Sequence, residues 1–123
     1  KEELVVLVQI ETAKSLENLE EILSVEGIDV AYVGPMDLSV NLGIPTRYDH
    51  PKFKDALRRV KEVCEKYDVV PGIHTFNVEM AEKMVKDGFR FVALMSDTKI
   101  LVSGFRELLS RFGREVVGEV KGY

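Results

Sequence analysis

Apolar runs alternate with amphipathic stretches along the whole chain. Four short runs rich in valine and isoleucine predict β-strands that are buried on both faces. After each run, apolar residues recur every three or four positions, which predicts an amphipathic helix. The predicted strands cover residues 4–10, 30–34, 69–74 and 89–95, and the apolar stripes of the helices cover residues 13–23, 53–67, 78–85 and 100–112.

Capping and stop residues mark the ends of several of these helices. Gly27 and Gly88 follow two of the apolar stripes and are typical helix stops. Asn77 is a suitable N-cap for the third helix, and Ser96 or Asp97 for the last. Each strand is therefore followed by a bounded helix, and the order is β-α repeated four times.

This order predicts an α/β fold with a parallel sheet that is covered by helices. Two architectures fit it: a complete small open sheet, or half of a (β/α)₈ barrel, which needs eight strands and roughly 250 residues. The four strands and the absence of an initial methionine favour the half barrel, (β/α)₄. We expect residues 1–123 to form one partial barrel domain.

Bulk composition excludes several classes of protein. The chain has 123 residues, 46% of them hydrophobic, and a net charge of −4, so we expect neither nucleic acid nor a membrane as partner. We also expect no signal peptide. The single cysteine, Cys64, cannot form an internal disulfide and is expected in the core, which fits a cytoplasmic location.

Two acidic residues follow consecutive strands of the predicted sheet. Glu11 ends the first strand, and Asp37 comes just after the second. Ligands of parallel α/β folds bind at the carboxyl ends of strands, where neighbouring strands lie about 4.8 Å apart. The two carboxylates could share a divalent metal ion such as Mg²⁺ or Mn²⁺. Alternatively, Glu11 pairs with a basic side chain and Asp37 caps a short helix.

The motifs around these acids resemble the HpcH/HpaI aldolase family. "QIET" contains Glu11, and "GPMDLS" contains Asp37 at 26 positions further on. "EGID", "HP", "PGI" and "FVA…DT" follow in the family's order. The resemblance implies a class II, metal-dependent pyruvate aldolase with a TIM-barrel fold. It covers nearly the whole chain, but only the C-terminal half of such an enzyme, strands five to eight.

The resemblance also implies site residues. Glu11 and Asp37 would hold the metal, most suitably Mg²⁺, with Mn²⁺ and Co²⁺ as alternatives. Gln9 would form a hydrogen bond with the bound pyruvate, and the backbone N–H groups of Met36 and Asp37 would donate hydrogen bonds to the pyruvate carboxylate. An N–H pair at the start of a helix suits an anion on physical grounds too.

Other residues remain open. The family's arginine and its proton-transferring histidine come from the half that has no counterpart in these 123 residues. His74, at the end of the third strand, is interpreted as a substrate-pocket residue. A histidine that is only hydrogen-bonded near the rim is the simpler alternative, and proton transfer is the less favoured role. Lys99 could in principle form an imine, but a solvated lysine in the first helical turn is the simpler interpretation.

The implied reaction is reversible cleavage of a 4-hydroxy-2-oxo acid to pyruvate and an aldehyde through a metal-stabilised enolate. Two alternatives remain: a citryl-lyase-like enzyme that acts on a thioester, and a non-catalytic α/β module that binds metal or protein. We expect a homo-oligomer. The open sheet edges predict that this polypeptide alone is inactive or self-associates, while a longer parent is the aldolase.

Overall fold

A computed structural model describes residues 4–113 of the chain. The predicted alternation of strands and helices is present, with two additional short helices. The elements are β1 (Leu7–Ile10), α1 (Ala13–Glu17), α2 (Leu19–Leu23), β2 (Val30–Val33), α3 (Pro35–Asn41), α4 (Pro51–Tyr67), β3 (Val70–Thr75), α5 (Val78–Lys86), β4 (Phe91–Leu94) and α6 (Asp97–Ser110).

The four strands form one parallel sheet in the order β1-β2-β3-β4. Each strand therefore pairs with its neighbour in sequence, and the chain always moves in the same direction across the sheet. Ile10, Val33 and Ile73 lie side by side on adjacent strands. The predicted parallel α/β fold is confirmed, and the sequential order is that of a barrel segment.

One face of the sheet packs against the helices and forms the core. Ile10, Val33 and Ile73 are fully buried there, beneath Phe53 and Val60 of α4. The amphipathic pattern of α4 places its apolar stripe on this face, while Pro51 at its first position and His50 as N-cap start the helix. The predicted position of Cys64 in this core is confirmed, and burial raises the pKa of its thiol to about 11.

The opposite face of the sheet, which we call the inner face, carries no helix among residues 4–113. Gln9, Tyr32, Gly72 and Phe91 form one row across it. Because Gly72 has no side chain, the rings of Tyr32 and Phe91 meet above it, with centroids 5.9 Å apart and an edge-on arrangement. Close packing on this row therefore depends on a glycine.

Burial of the outer strands differs from the prediction. Residues 4–10 were expected to form a strand covered on both faces, but β1 begins only at Leu7, and Leu7 and Gln9 are exposed. Phe91 and Leu94 of β4 are exposed too. β1 and β4 are the two edges of the sheet, so each lacks a neighbour on one side, and only β2 and β3 are enclosed as the pattern predicted.

The first predicted helix differs from the prediction, because it is divided at Asn18, whose backbone leaves the helical conformation between α1 and α2. Of the two predicted caps of the last helix, Ser96 and Asp97, the Ser96 side chain caps α6. None of the α6 side chains is buried, although its apolar stripe is the one predicted, because no described element covers it. The tail from Glu115 onward lies outside the described residues.

Gly72 provides a test of the inner-face packing. A Cβ atom at this position would lie 2.8 Å from Val30 Cγ1 and 3.2 Å from the carbonyl oxygen of Phe91. Since Val30 is itself buried, we expect Gly72→Ala to lower the free energy of unfolding by about 1–3 kcal/mol. Urea denaturation followed by circular dichroism would measure it.

Gly104 is the matched control, because a Cβ there would meet nothing within 4 Å. Gly104→Ala in α6 should leave the protein as stable or more stable, by up to about 1 kcal/mol. Equal effects of the two substitutions would contradict the packing described for Gly72.

Candidate metal and substrate site

The site lies at the edge of the sheet where the parallel strands end. Ile10, Val33 and Ile73 are in register, so the next residues, Glu11, Gly34 and His74, reach this edge together. Alternation of side chains directs these next residues toward the inner face. The carboxyl end of the sheet thus carries an acid, a glycine and a histidine in one row.

Glu11 and Asp37 converge on the space above Gly34. A Cβ atom on Gly34 would lie 3.1 Å from Oε2 of Glu11 and 4.0 Å from Oδ2 of Asp37. Both carboxylates therefore lie within 4.0 Å of a single point. The two carboxylates point to the same space, as their positions in the sequence predict. They lie next to the volume that a side chain at Gly34 would fill.

Local hydrogen bonds hold the two acidic segments together. The Gly34 N–H donates to the carbonyl oxygen of Ile10, at 3.3 Å, which continues the β1–β2 ladder to the edge. At the other end of α3, Asn41 Oδ1 accepts from the Ala13 N–H at 2.7 Å. The start of α1 is thus tied to the end of α3, and Glu11 is fixed beside the helix that carries Asp37.

The start of α3 presents backbone N–H groups at the same place. Gly34 is the N-cap without a side-chain cap, and Pro35 is the first helical residue. The Leu38 N–H, which donates to Gly34 O at 2.9 Å, begins the hydrogen bonding within the helix. The amides of Met36 and Asp37 precede it, in the turn where N–H groups lack partners inside the helix.

Gln9 and His74 lie on the inner face near the acids. Gln9 is exposed, one row below Glu11, next to Tyr32. His74 is half-buried, and its Nδ1 lies 3.2 Å from the Tyr32 hydroxyl. Burial raises the pKa of the Tyr32 hydroxyl. Gly34 separates His74 from Glu11 in the edge row.

An aromatic cluster was not foreseen from the sequence. Tyr48, in the loop before α4, packs on Phe53 and Phe76, and Phe76 in turn contacts the His74 ring, all with centroids 5.4 Å apart. Burial raises the pKa of Tyr48, and the negative charge of Asp37 raises it further. Tyr48 therefore lies close enough to Asp37 to be affected by its charge, a proximity that depends on the path of the loop.

The donor set fits a hard divalent cation. Two carboxylates supply oxygen ligands, and Mg²⁺ commonly takes one or two protein carboxylates while water and substrate oxygens fill its other positions. Among residues 4–113 no group of three or more histidine, cysteine, aspartate or glutamate side chains could hold a metal. A site that relies on protein ligands alone, such as structural zinc, is therefore not formed by these residues.

Two other features lie away from the acidic pair. Lys99 Nζ donates to the carbonyl oxygen of Phe76 at 2.9 Å and is exposed, in agreement with a solvated lysine. A groove of about 900 Å³ separates α4 from α5 on the helical side of the sheet. Its lining includes Phe53, Met80 and Phe89, and neither Glu11 nor Asp37 belongs to it.

Comparison with known proteins identifies the family. Residues 1–104 match the family described as HpcH/HpaI aldolase/citrate lyase. The chain belongs to this family. The predicted resemblance is confirmed.

Individual relatives agree with this assignment. The 4-hydroxy-2-oxo-heptane-1,7-dioate aldolase of Escherichia coli is 34% identical over 121 residues, which are 98% of this chain and 46% of that protein. An HpcH/HpaI aldolase/citrate lyase family protein from Burkholderia cenocepacia J2315 is 27% identical, with a TM-score of 0.84 over 92% of this chain and 44% of that one. The chain therefore spans about half the length of the relatives it matches.

A more distant structure shares the fold alone. CitE from Mycobacterium tuberculosis, solved in complex with magnesium and acetate, is 17% identical, with a TM-score of 0.64 over 80% of this chain and 47% of that one.

Within residues 4–113, no helix combines the length and apolar character that a membrane span requires.

Proposed function

We propose that this chain is the metal-binding half of an aldolase that cleaves a 4-hydroxy-2-oxo acid reversibly to pyruvate and an aldehyde. The convergence of Glu11 and Asp37 on the space above Gly34 carries the proposal. The E. coli relative named for cleavage of such an acid is 34% identical, whereas CitE is only 17% identical. This difference favours the aldolase over the citryl-lyase-like alternative.

Each part of the site has a role in this reaction. Glu11 and Asp37 would hold a divalent ion, most suitably Mg²⁺, which when bound acts as a Lewis acid for the negative charge that develops as the carbon–carbon bond breaks. The amides of Met36 and Asp37 receive the substrate carboxylate. The exposed Gln9 donates from its side-chain amide to an oxygen of the same 2-oxo acid.

Asp37 would thus orient the substrate twice, through its carboxylate and through its own N–H. Because α3 starts at Gly34, the backbone and side-chain contacts share one rigid turn, and the 2-oxo acid is held in one orientation. His74 lies on the same edge and is proposed to line the pocket on the aldehyde side, where its ring rests between Tyr32 and Phe76.

The metal site can be tested without turnover. We expect the wild-type chain to bind Mn²⁺, measured by electron paramagnetic resonance of the free ion, with competition by Mg²⁺. Glu11→Gln and Asp37→Asn should each weaken Mn²⁺ binding at least tenfold, because loss of even a residue that only hydrogen-bonds a metal ligand commonly lowers metal affinity about tenfold or more. Gly34→Ala should also weaken binding, since its Cβ would lie 3.1 Å from Glu11 Oε2.

Glu26→Gln is the matched control, because this exposed acid lies outside the site and its substitution removes the same charge. If Glu26→Gln weakens binding as much as Glu11→Gln does, the ion is attracted by overall charge alone, and the proposed site is wrong.

Aldol cleavage tests the reaction itself. A complete parent protein should release pyruvate from a 4-hydroxy-2-oxo acid, detected with lactate dehydrogenase, and lose activity with EDTA or with Glu11→Gln. The isolated chain should be silent. Cleavage of a citryl thioester to an acetyl thioester and oxaloacetate instead would support the citryl-lyase-like alternative. Silence of the parent toward both substrates with every divalent metal would support a non-catalytic module.

A further inference from the structure

Two polar side chains are fully buried among residues 4–113, namely Ser39 of α3 and Thr75 of β3. A buried hydroxyl group costs free energy unless it forms hydrogen bonds, so its partners indicate what it holds in place. The Thr75 hydroxyl donates to the carbonyl oxygen of Ala93 at 2.8 Å and joins β3 to β4. Ser39 comes two residues after Asp37, and its hydrogen bonds concern the candidate metal site.

The Ser39 hydroxyl is bonded to the peptide group that leads into Asp37. Its Oγ donates to the carbonyl oxygen of Met36 at 2.8 Å. That carbonyl and the Asp37 N–H belong to one planar peptide group, so a bond to the carbonyl fixes the plane from which the Asp37 Cα continues. Rotation of this plane would move the Asp37 carboxylate, whose Oδ2 now lies 4.0 Å from the Cβ position of Gly34.

The same serine also holds the loop that follows α3. Ser39 Oγ accepts from the Thr46 N–H at 3.0 Å, and the Ser39 carbonyl oxygen accepts from the Ile44 N–H at 2.9 Å. Ile44 is itself buried in the core. Ser39 therefore ties α3 to a loop that is anchored in the core and that leads to Tyr48.

The loop is strained at the residue that donates to Ser39. Thr46 has a φ of 59°, in the left-handed region that a β-branched residue rarely adopts. Such strain persists only where the surrounding structure determines the backbone, and it is most common at functional sites. Every group in this support lies between Met36 and Thr46, so the support is complete within the described residues.

We propose that Ser39 is a positioning residue for Asp37 in the proposed metal site. It acts by holding the Met36–Asp37 peptide group and by tying α3 to the loop of residues 44–46. The inference rests on the proposed function, because it requires a metal ion held by Glu11 and Asp37. A fixed carboxylate matters most for Mg²⁺, which requires near-ideal octahedral geometry, whereas Ca²⁺ accepts flexible coordination. Ser39 therefore contributes to the choice between these ions.

Metal selectivity tests this role without turnover. Binding of Mn²⁺ to the full-length protein is followed by electron paramagnetic resonance of the free ion, with Mg²⁺ and Ca²⁺ compared as competitors. Ser39→Ala should weaken Mg²⁺ and Mn²⁺ binding about tenfold, the low end of the effect of removing a group that orients a metal ligand. Binding of Ca²⁺ should weaken less than about threefold, because its coordination is flexible.

Ser39→Cys separates hydrogen bonding from packing. A thiol fills the buried space but is a weak donor and a weak acceptor, so this variant should show the same loss of selectivity as Ser39→Ala. Circular dichroism at the temperature of the titration shows whether each variant is folded. If Ser39→Ala is unfolded there, Ser39→Cys decides the same question.

Thr75→Val is the matched control, because it removes the other buried hydroxyl and keeps the shape of the side chain. Loss of the bond to Ala93 should lower the midpoint of thermal unfolding. Binding of all three ions should stay unchanged, since Thr75 has no bond to the segment that carries Asp37.

The outcomes separate this inference from the proposed function. Absence of Mn²⁺ binding, or binding that Glu11→Gln and Asp37→Asn leave unchanged, would overturn the proposed metal site and the role of Ser39 with it. If those two substitutions weaken binding and Ser39→Ala does not, only the role of Ser39 is wrong. Equal losses of Mg²⁺ and Ca²⁺ affinity in Ser39→Ala, normal selectivity in Ser39→Cys, or altered selectivity in Thr75→Val would also overturn that role.

Discussion

The space above Gly34 is the constraint on which the candidate site depends. Parallel pairing brings the ends of β1 and β2 to one edge, but pairing alone does not let two side chains share a point. Because Gly34 has no side chain, the carboxylate of Glu11 can lie over it, and the turn into α3 brings Asp37 to the same place. Two carboxylates that point to the same space are suitable oxygen ligands for a divalent cation.

The same constraint links the site to the rest of the fold. Gly34 is both the end of β2 and the N-cap of α3, so the register of the sheet and the start of the helix are set by one residue. The bond from Ala13 to Asn41 fixes the far end of α3. The segments that carry the two acids are therefore positioned by hydrogen bonds of the backbone on both sides.

Much of this could be predicted from the sequence, because the signals are local. Strand and helix order follow from hydrophobic period, and the pairing of Glu11 with Asp37 follows from their positions after consecutive strands. Contacts that depend on the path of a loop or on two distant strands had no such signal. Tyr48 beside Asp37, and Tyr32 above Gly72 with His74 next to it, belong to this class.

The exposure of β1 and α6 was missed for a different reason. An apolar pattern indicates that a segment is suited to burial against other apolar side chains. It does not indicate whether these 123 residues include the segment that buries it. The pattern of residues 4–10 suits a strand enclosed on both sides, and the stripe of α6 suits a covered helix. Both are exposed in the structure, where the described residues supply four strands to the sheet.

A crystal structure with Mn²⁺, with the ion located by anomalous scattering, tests the central claim most directly. The account predicts one peak on the inner-face side of Gly34, about 2.0–2.2 Å from an oxygen of Glu11 and an oxygen of Asp37, as expected for a small divalent ion. A peak bound elsewhere, or a map in which the two carboxylates point to opposite faces of the sheet, would contradict it.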